Sequence, residues 1–499
     1  MNLPAPTCNG AIGCTMRPFE SSGTPRAPAG TGLVLLCIAG VVWFLDQAAA
    51  GEAGASAIVW GAITLGASAL LRRQLDGPDD MVTTAGVVYA LSALVGAFVV
   101  WDNHSNTGLH FSTNFDDSFY YVNAVELARG RVAQLTQWTL FEVLLALWCS
   151  ALEPFKAIAP VDLLPVNWSL TALCVTMSAE LARRVSGRPV PRPWLLAVTL
   201  GQYQLLAVVP FLYRDMLVAV SFVGAALFAW VGAPWRALPF IILATGTRGG
   251  HGVLAAFTAA SLHFTSTATF QRAPRTMTAV GVVLLAAAVA VGANLSAGFL
   301  SGRVGEEASG NVATFAVERQ QRWTENYAQT GSSFGERVLG LGPVGFPLRM
   351  VSGYFAPVVF RDATYEKSFN SLFLPGSMGD RYRVRGTFRF TYAEWVSILL
   401  WPLTAPLLLL GMRRLARGDT RQRTLLGALA LAFFLIMVVS MQERHRVPIL
   451  AFNPVFIAMA LAQRSSAAEA RFVALTRSIV VAGIVALNIT AVLQRALGS

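Results

Sequence analysis

The sequence is poor in charge. Asp, Glu, Lys and Arg together make up 13% of its 499 residues, about half the share of an ordinary soluble domain. With 55% hydrophobic residues and a mean hydropathy of +0.54, the chain lacks the polar surface that two to four soluble domains of this length require. Cysteine is equally scarce. The five residues Cys8, Cys14, Cys37, Cys149 and Cys174 contain no Cys-x-x-Cys pair and no zinc spacing. This excludes a disulfide scaffold and leaves five free thiols. Lysine is nearly missing: of 38 basic residues only Lys156 and Lys367 are Lys. No arginine run is long enough, or sufficiently interleaved with aromatics, to line a nucleic-acid groove. The net charge of +11 is therefore read as membrane topology, with no nucleic-acid partner. No internal repeat is visible, which withdraws support from an inverted-repeat transporter.

What the sequence has instead is apolar runs. They fall near 33–48, 55–71, 82–101, 137–157, 162–182, 194–211, 216–233, 236–266, 277–299, 391–411, 423–441, 447–463 and 473–494. Most approach the ~20 helical residues that span a bilayer, and they lack the alternation of a membrane β-barrel. The expected fold is all-α: a polytopic helix bundle of about 11–13 spans in a bacterial cytoplasmic membrane, with a long extracytoplasmic loop. Residues 1–30, rich in Pro, Gly, Ser and Thr, read as a disordered tail. Residues 31–300 read as an N-terminal transmembrane module with an outer loop at 102–136. Residues 301–390 form the long loop region, with 11 basic and 8 acidic residues, and 391–499 the C-terminal helices.

Arginine placement orients the bundle. Arg72 and Arg73, the group Arg183, Arg184, Arg188 and Arg192, the pair Arg272 and Arg275, and the group Arg413, Arg414, Arg417, Arg421 and Arg423 all favour the cytoplasm. Simple counting conflicts with this if 137–157 crosses the membrane. Two arrangements repair it. In the first, 137–157 is re-entrant or interfacial, and 236–266 crosses twice, broken at Thr247-Arg248-Gly249-Gly250. In the second, both segments cross once and four arginines sit outside. The first is preferred, since 137–157 carries Glu142, Glu153, Pro154 and Lys156.

The loop at 102–136 contains Asn114-Phe115-Asp116-Asp117-Ser118-Phe119-Tyr120-Tyr121, followed by a helical pattern that Gly130 can end. One aspartate suits a helix N-terminus. A second adjacent carboxylate at a membrane surface points to a general base or a metal ligand. His104, His110, Asp116 and Asp117 are the candidate ligands for a divalent ion, the one cofactor these residues suggest. Solvated loop histidines are the plainer reading.

Asp116-Asp117-x-Phe119-Tyr120-Tyr121, with Ala124, Leu127, Ala128 and Gly130 behind it, resembles the first outer loop of C-type (GT-C) membrane glycosyltransferases, which use polyprenyl-phosphate-linked sugars. Glu443-Arg444-His445-Arg446-Val447-Pro448 resembles the entry to a late helix in lipid-linked sugar transferases and polysaccharide polymerases. The resemblance touches short patches and implies a glycosyltransferase of cell-surface polysaccharide or glycoconjugate synthesis. It implies a polyprenyl-phosphate- or diphosphate-linked sugar as donor and a glycan as acceptor. Asp116 or Asp117 would then be catalytic. Tyr121, Arg214, Arg248, Arg444 and Arg446 would bind substrate, because guanidinium forks match phosphate oxygens. Arginines at membrane depth are functional candidates in their own right, although Arg214–Asp215 also fits a snorkelling pair and Arg444 and Arg446 also fit interfacial anchors. The rival from another class is a transporter or flippase of a lipid-linked or anionic solute.

Overall fold

The computed structural model describes residues 54–107, 115–131, 139–200, 212–266, 391–439, 443–463 and 465–498, with residues 347, 350, 351 and 354 as single positions. The expected tail at 1–30, the apolar runs at 33–48 and 277–299, His110 and nearly all of the long loop at 301–390 lie outside them. The described residues are helical, with no strand among them. We number the helices α1 (Gly54–Leu75), α2 (Asp80–Thr107), α3 (Phe115–Ala128), α4 (Leu140–Leu152), α5 (Leu164–Ser186), α6 (Arg192–Leu200), α7 (Asp215–Trp230), α8 (Pro234–Thr247), α9 (Gly249–Ser266), α10 (Thr391–Arg417), α11 (Thr420–Val439), α12 (Val447–Leu450), α13 (Asn453–Leu461) and α14 (Ala467–Gly498).

Five helices among the described residues are long and apolar enough to cross a membrane: α1, α2, α10, α11 and α14. Shorter apolar helices occupy Leu140–Leu152, Asp215–Trp230 and Val447–Leu461. The centre is α7, whose residues are all buried and which packs against α5, α8, α9 and α12. Helix α5 is also buried but is rich in hydroxyls and amides. Thr171 Oγ1 donates to Asn167 O at 2.8 Å and Thr176 Oγ1 to Ala172 O at 2.7 Å. Thr64 Oγ1 of α1 meets Ser169 Oγ at 2.8 Å. The first two bonds stay within α5, whereas the Thr64–Ser169 bond joins α1 to α5, as polar side chains do between closely packed helices.

One end of the bundle is closed by arginines on helix C-termini, whose last carbonyls lack partners inside the helix. Arg184 donates to Leu75 O and Arg236 Nη1 to Gln74 O at 3.1 Å, both at the end of α1. Arg421 of α11 donates to Ala229 O at 3.1 Å and to Trp230 O, at the end of α7. Gln422 Nε2 reaches Val185 O at 2.8 Å, at the end of α5. Arg414 Nη1 donates to Met459 O and Ala460 O at 3.1 and 2.8 Å, at the end of α13, and Arg414 pairs with Glu469 at 2.9 Å. A cation at a helix C-terminus also meets the negative end of the dipole.

These contacts fix chain direction. Helices α1, α5, α7 and α13 all end at this arginine-rich end. Helix α2 turns back from α1 and α5 runs parallel to α1, so α2 ends and α5 starts at the opposite end. Helix α4 has Leu140 against Gly246, near the end of α8, and Trp148 Nε1 donating to Asp162 O at 3.0 Å, just ahead of α5. Its 13 residues reach only about 20 Å. Helices α8 and α9 form a hairpin. A Cβ on Gly252 would run into the backbone of Thr245, an approach that seven residues of continuous helix, about 10 Å of rise, would forbid.

Two boundaries differ from the sequence reading. The helix expected to end at residue 101 runs on through Asp102–Thr107, so the loop is shorter than 102–136. The late run at 447–463 is not one helix: α12 and α13 meet at Ala451–Phe452, beside Pro454.

Candidate functional site

The end opposite the arginine-rich cap is assembled from four pieces. Helix α3 supplies Tyr120. The first turn of α7 supplies Arg214 and Asp215. The tip of the α8–α9 hairpin supplies Arg248 and His251. The one-turn 3-10 helix Glu443–Arg446 leads into α12, where Pro448 sits in the first turn, a place at which the missing N–H costs nothing.

Each local shape follows from the sequence. Helix α3 stops where Gly130 adopts φ 72°, a left-handed conformation that glycine takes without penalty. Helix α8 stops because Arg248 is extended, with φ −149° and ψ 103°, and Gly249 and Gly250 follow it. Helix α4 starts at a capping box. Thr139 N donates to Glu142 Oε2 at 2.9 Å, and Phe141 N donates to Thr139 Oγ1 at 3.3 Å. The buried Glu142 is thus used by its own helix start.

Charge is concentrated where these pieces meet. Arg248 Nη1 lies 2.9 Å from Asp215 Oδ1, with the Asp215 side chain 1% and that of Arg248 10% exposed. The contact is at ion-pair distance but off the hydrogen-bond direction, so neither Asp215 oxygen accepts a hydrogen bond among the described residues. Arg214 places its Cζ 6.0 Å from the centroid of the Tyr120 ring, within reach of a cation–π contact. Its buried Nε has no hydrogen-bond partner among the described residues. The Tyr120 ring packs edge-on against Phe141 of α4, with centroids 5.4 Å apart. His251 Nε2 donates to His445 O at 3.1 Å, which ties the hairpin to the turn carrying Arg446. Both His445 and Arg446 are buried. His251 also lies in the field of Arg248, Arg214 and Asp215.

The structure thus brings Arg214, Arg248 and Arg446 to one end of the bundle, next to the helix that carries Asp116 and Asp117. Both aspartates fall in the first turn of α3, which starts at Phe115. They stand four and three residues ahead of Tyr120, one helical turn away. Their side chains, and those of His104 in α2 and Arg444 in the 3-10 turn, lie outside the described residues. Tyr121 is directed elsewhere: its hydroxyl donates to Ile158 O at 2.9 Å. Burial raises its pKa, so it remains a neutral phenol. No cluster of three or more metal-ligating side chains occurs among the described residues.

No protein-family model, no curated protein and no solved structure matches this chain.

Two residues named in the sequence take roles other than those expected. Tyr120, and not its neighbour Tyr121, is the tyrosine that faces an arginine. Asp215 pairs with Arg248, 33 positions along the chain, and not with its neighbour Arg214. Clustered arginine at a Gly-Gly helix break was the visible signal for Arg248; nothing in the sequence singles out its partner.

Proposed function

We propose that the protein is an integral membrane glycosyltransferase that moves a sugar or oligosaccharide from a polyprenyl-linked donor to a glycan acceptor. The arginine-rich end is cytoplasmic by the positive-inside rule, and the end carrying Arg214, Arg248 and Arg446 faces outward. One observation carries the reading: the contact of Tyr120 with Arg214 docks the helix of the aspartate pair onto the cationic cluster. A carboxylate pair and a set of guanidinium groups beside one another are what transfer from a phosphate-linked sugar needs.

In this reaction the guanidinium groups hold the donor phosphate. Asp116 or Asp117 takes the proton of the acceptor hydroxyl. That oxygen bonds to the anomeric carbon as the bond from carbon to the phosphate oxygen breaks, and the electron pair leaves with the phosphate. The phosphate is a stable leaving group, so no general acid is required. A single displacement inverts the anomeric centre, and negative charge nearby favours its oxocarbenium-like transition state, as in glycoside hydrolysis.

The α8–α9 hairpin favours one second reading. A broken helix carrying an arginine at its tip also suits a transporter or flippase of an anionic lipid-linked solute. Purified protein in liposomes separates the two. With a short polyprenyl-phosphate sugar and a glycan acceptor, the transferase releases free polyprenyl phosphate and a lengthened glycan. Movement of the intact donor between leaflets, with no new glycosidic bond, would select the transporter.

A further inference from the structure

Asp215 has an unusual environment for a buried carboxylate. It lies in the first turn of α7, where the helix dipole favours negative charge. Yet its oxygens accept no hydrogen bond among the described residues. What faces it is Arg248, at 2.9 Å but off the N–H direction. A carboxylate retained for structure alone is normally met by well-aligned donors, because its desolvation must be offset. Asp162 in this same chain shows the contrast. It is fully buried and receives Lys156 Nζ at 2.9 Å, Ser56 Oγ at 3.1 Å and Ala159 N at 2.9 Å.

Arg214 beside Asp215 has a buried Nε with no hydrogen-bond partner among the described residues. Arg248 stands on a hairpin tip of extended backbone followed by two glycines. The carboxylate thus meets Arg248 by charge without an aligned hydrogen bond, with the Arg214 Nε beside it.

We infer that Asp215 is a positioning residue that acts as an internal stand-in for the donor phosphate: it engages Arg248 in the empty protein, and an incoming phosphate displaces it. The inference rests on the reading of the arginine cluster as a phosphate clamp. Its consequence is a built-in competition. Asp215 neutralises Arg248 until a phosphate replaces it, which lowers affinity for phosphate and eases release of the polyprenyl phosphate product.

The test uses the full-length protein in detergent with geranylgeranyl phosphate as the probe. Arg248→Gln weakens binding, and Asp215→Asn tightens it by about tenfold, the low end for close charge pairs. In the transfer assay Asp215→Asn lowers KM for the donor and also lowers kcat, as product release slows. Structural damage would weaken binding, so tightening is the diagnostic direction. Where Asp215→Asn does not fold, difference infrared spectroscopy on the wild type decides. Addition of the probe shifts a carboxylate band, and the shift is absent in Arg248→Gln. Wild-type protein that does not bind the probe would overturn both the clamp and this inference. Binding that depends on Arg248 but is unchanged or weakened in folded Asp215→Asn, or an unshifted carboxylate band, would overturn the inference and leave the clamp standing.

Discussion

Arg214 holds its guanidinium carbon 6.0 Å from the centre of the Tyr120 ring, across an interval of 94 positions. The contact joins α3 to the start of the central helix α7. It is the direct link between the sequence motif around Asp116 and Asp117 and the cationic end of the bundle.

Tyr120 is therefore expected to matter through its ring. Tyr120→Phe keeps the contact with Phe141 and the face presented to Arg214, and retains most activity. Tyr120→Ala loses both. It lowers stability by about 3 kcal/mol, as for other large-to-small changes at buried aromatics, and reduces sugar transfer more than its folded fraction explains. Thermal unfolding in detergent, run alongside the transfer assay, checks this.

Arg421 provides the control at the other end. It donates to the carbonyls of Ala229 and Trp230 and lies 4.4 Å from the Trp230 ring. Arg421→Gln costs about 1–2 kcal/mol through the lost helix cap and cation–π contact. Specific activity of the folded protein is unchanged. Arg421→Lys recovers only part of the loss, since an ammonium cannot reproduce the planar fork.

The hairpin at Arg248 makes a prediction about three glycines. A methyl on Gly252 meets the backbone of Thr245, one on Gly246 meets the Leu140 side chain, and one on Gly250 meets nothing within 4 Å. Gly252→Ala is accordingly the damaging change, by about 1–3 kcal/mol. Gly246→Ala is milder because a leucine side chain can move. Gly250→Ala is tolerated. Unfolding temperatures in that order would bear out the tight hairpin; equal values for all three would contradict it.

Part of the fold was legible in the sequence because long apolar runs leave few options. Long apolar runs read as helices, Gly130 read as a stop, and the arginine groups at 72–73, 183–192 and 413–423 do collect at one end. The capping box at Thr139 and Glu142 was present as Thr-x-x-Glu, yet it was hidden by the surrounding apolar run. Other features were not legible for physical reasons. Helical phase alone cannot tell whether Tyr120 or Tyr121 faces an arginine, since that depends on a partner far along the chain. The pairing of Asp215 with Arg248 depends on the hairpin reversing, and the sequence shows only the break. The continuation of α2 through Asp102–Thr107 is polar and offers no apolar periodicity to mark it.

Membrane orientation can be tested with two exposed aromatics. Phe155, 85% exposed, follows α4 and leads to the start of α5; Trp235, 83% exposed, stands in the first turn of α8 near the arginine caps. In a cysteine-free background on intact cells, Phe155→Cys reacts with an impermeant thiol reagent from outside. Trp235→Cys reacts only after the membrane is opened. Reaction of both from the same side would overturn the path given to α4.

The most direct test of the whole account is the surface glycan of cells producing Asp116→Asn, Asp117→Asn and Arg248→Gln variants at wild-type protein levels. Loss of one glycan component in Arg248→Gln and in at least one aspartate variant, with Arg421→Gln unaffected, is the predicted result. Unchanged glycan in both aspartate variants and in their double mutant would contradict the assignment of a base to this helix.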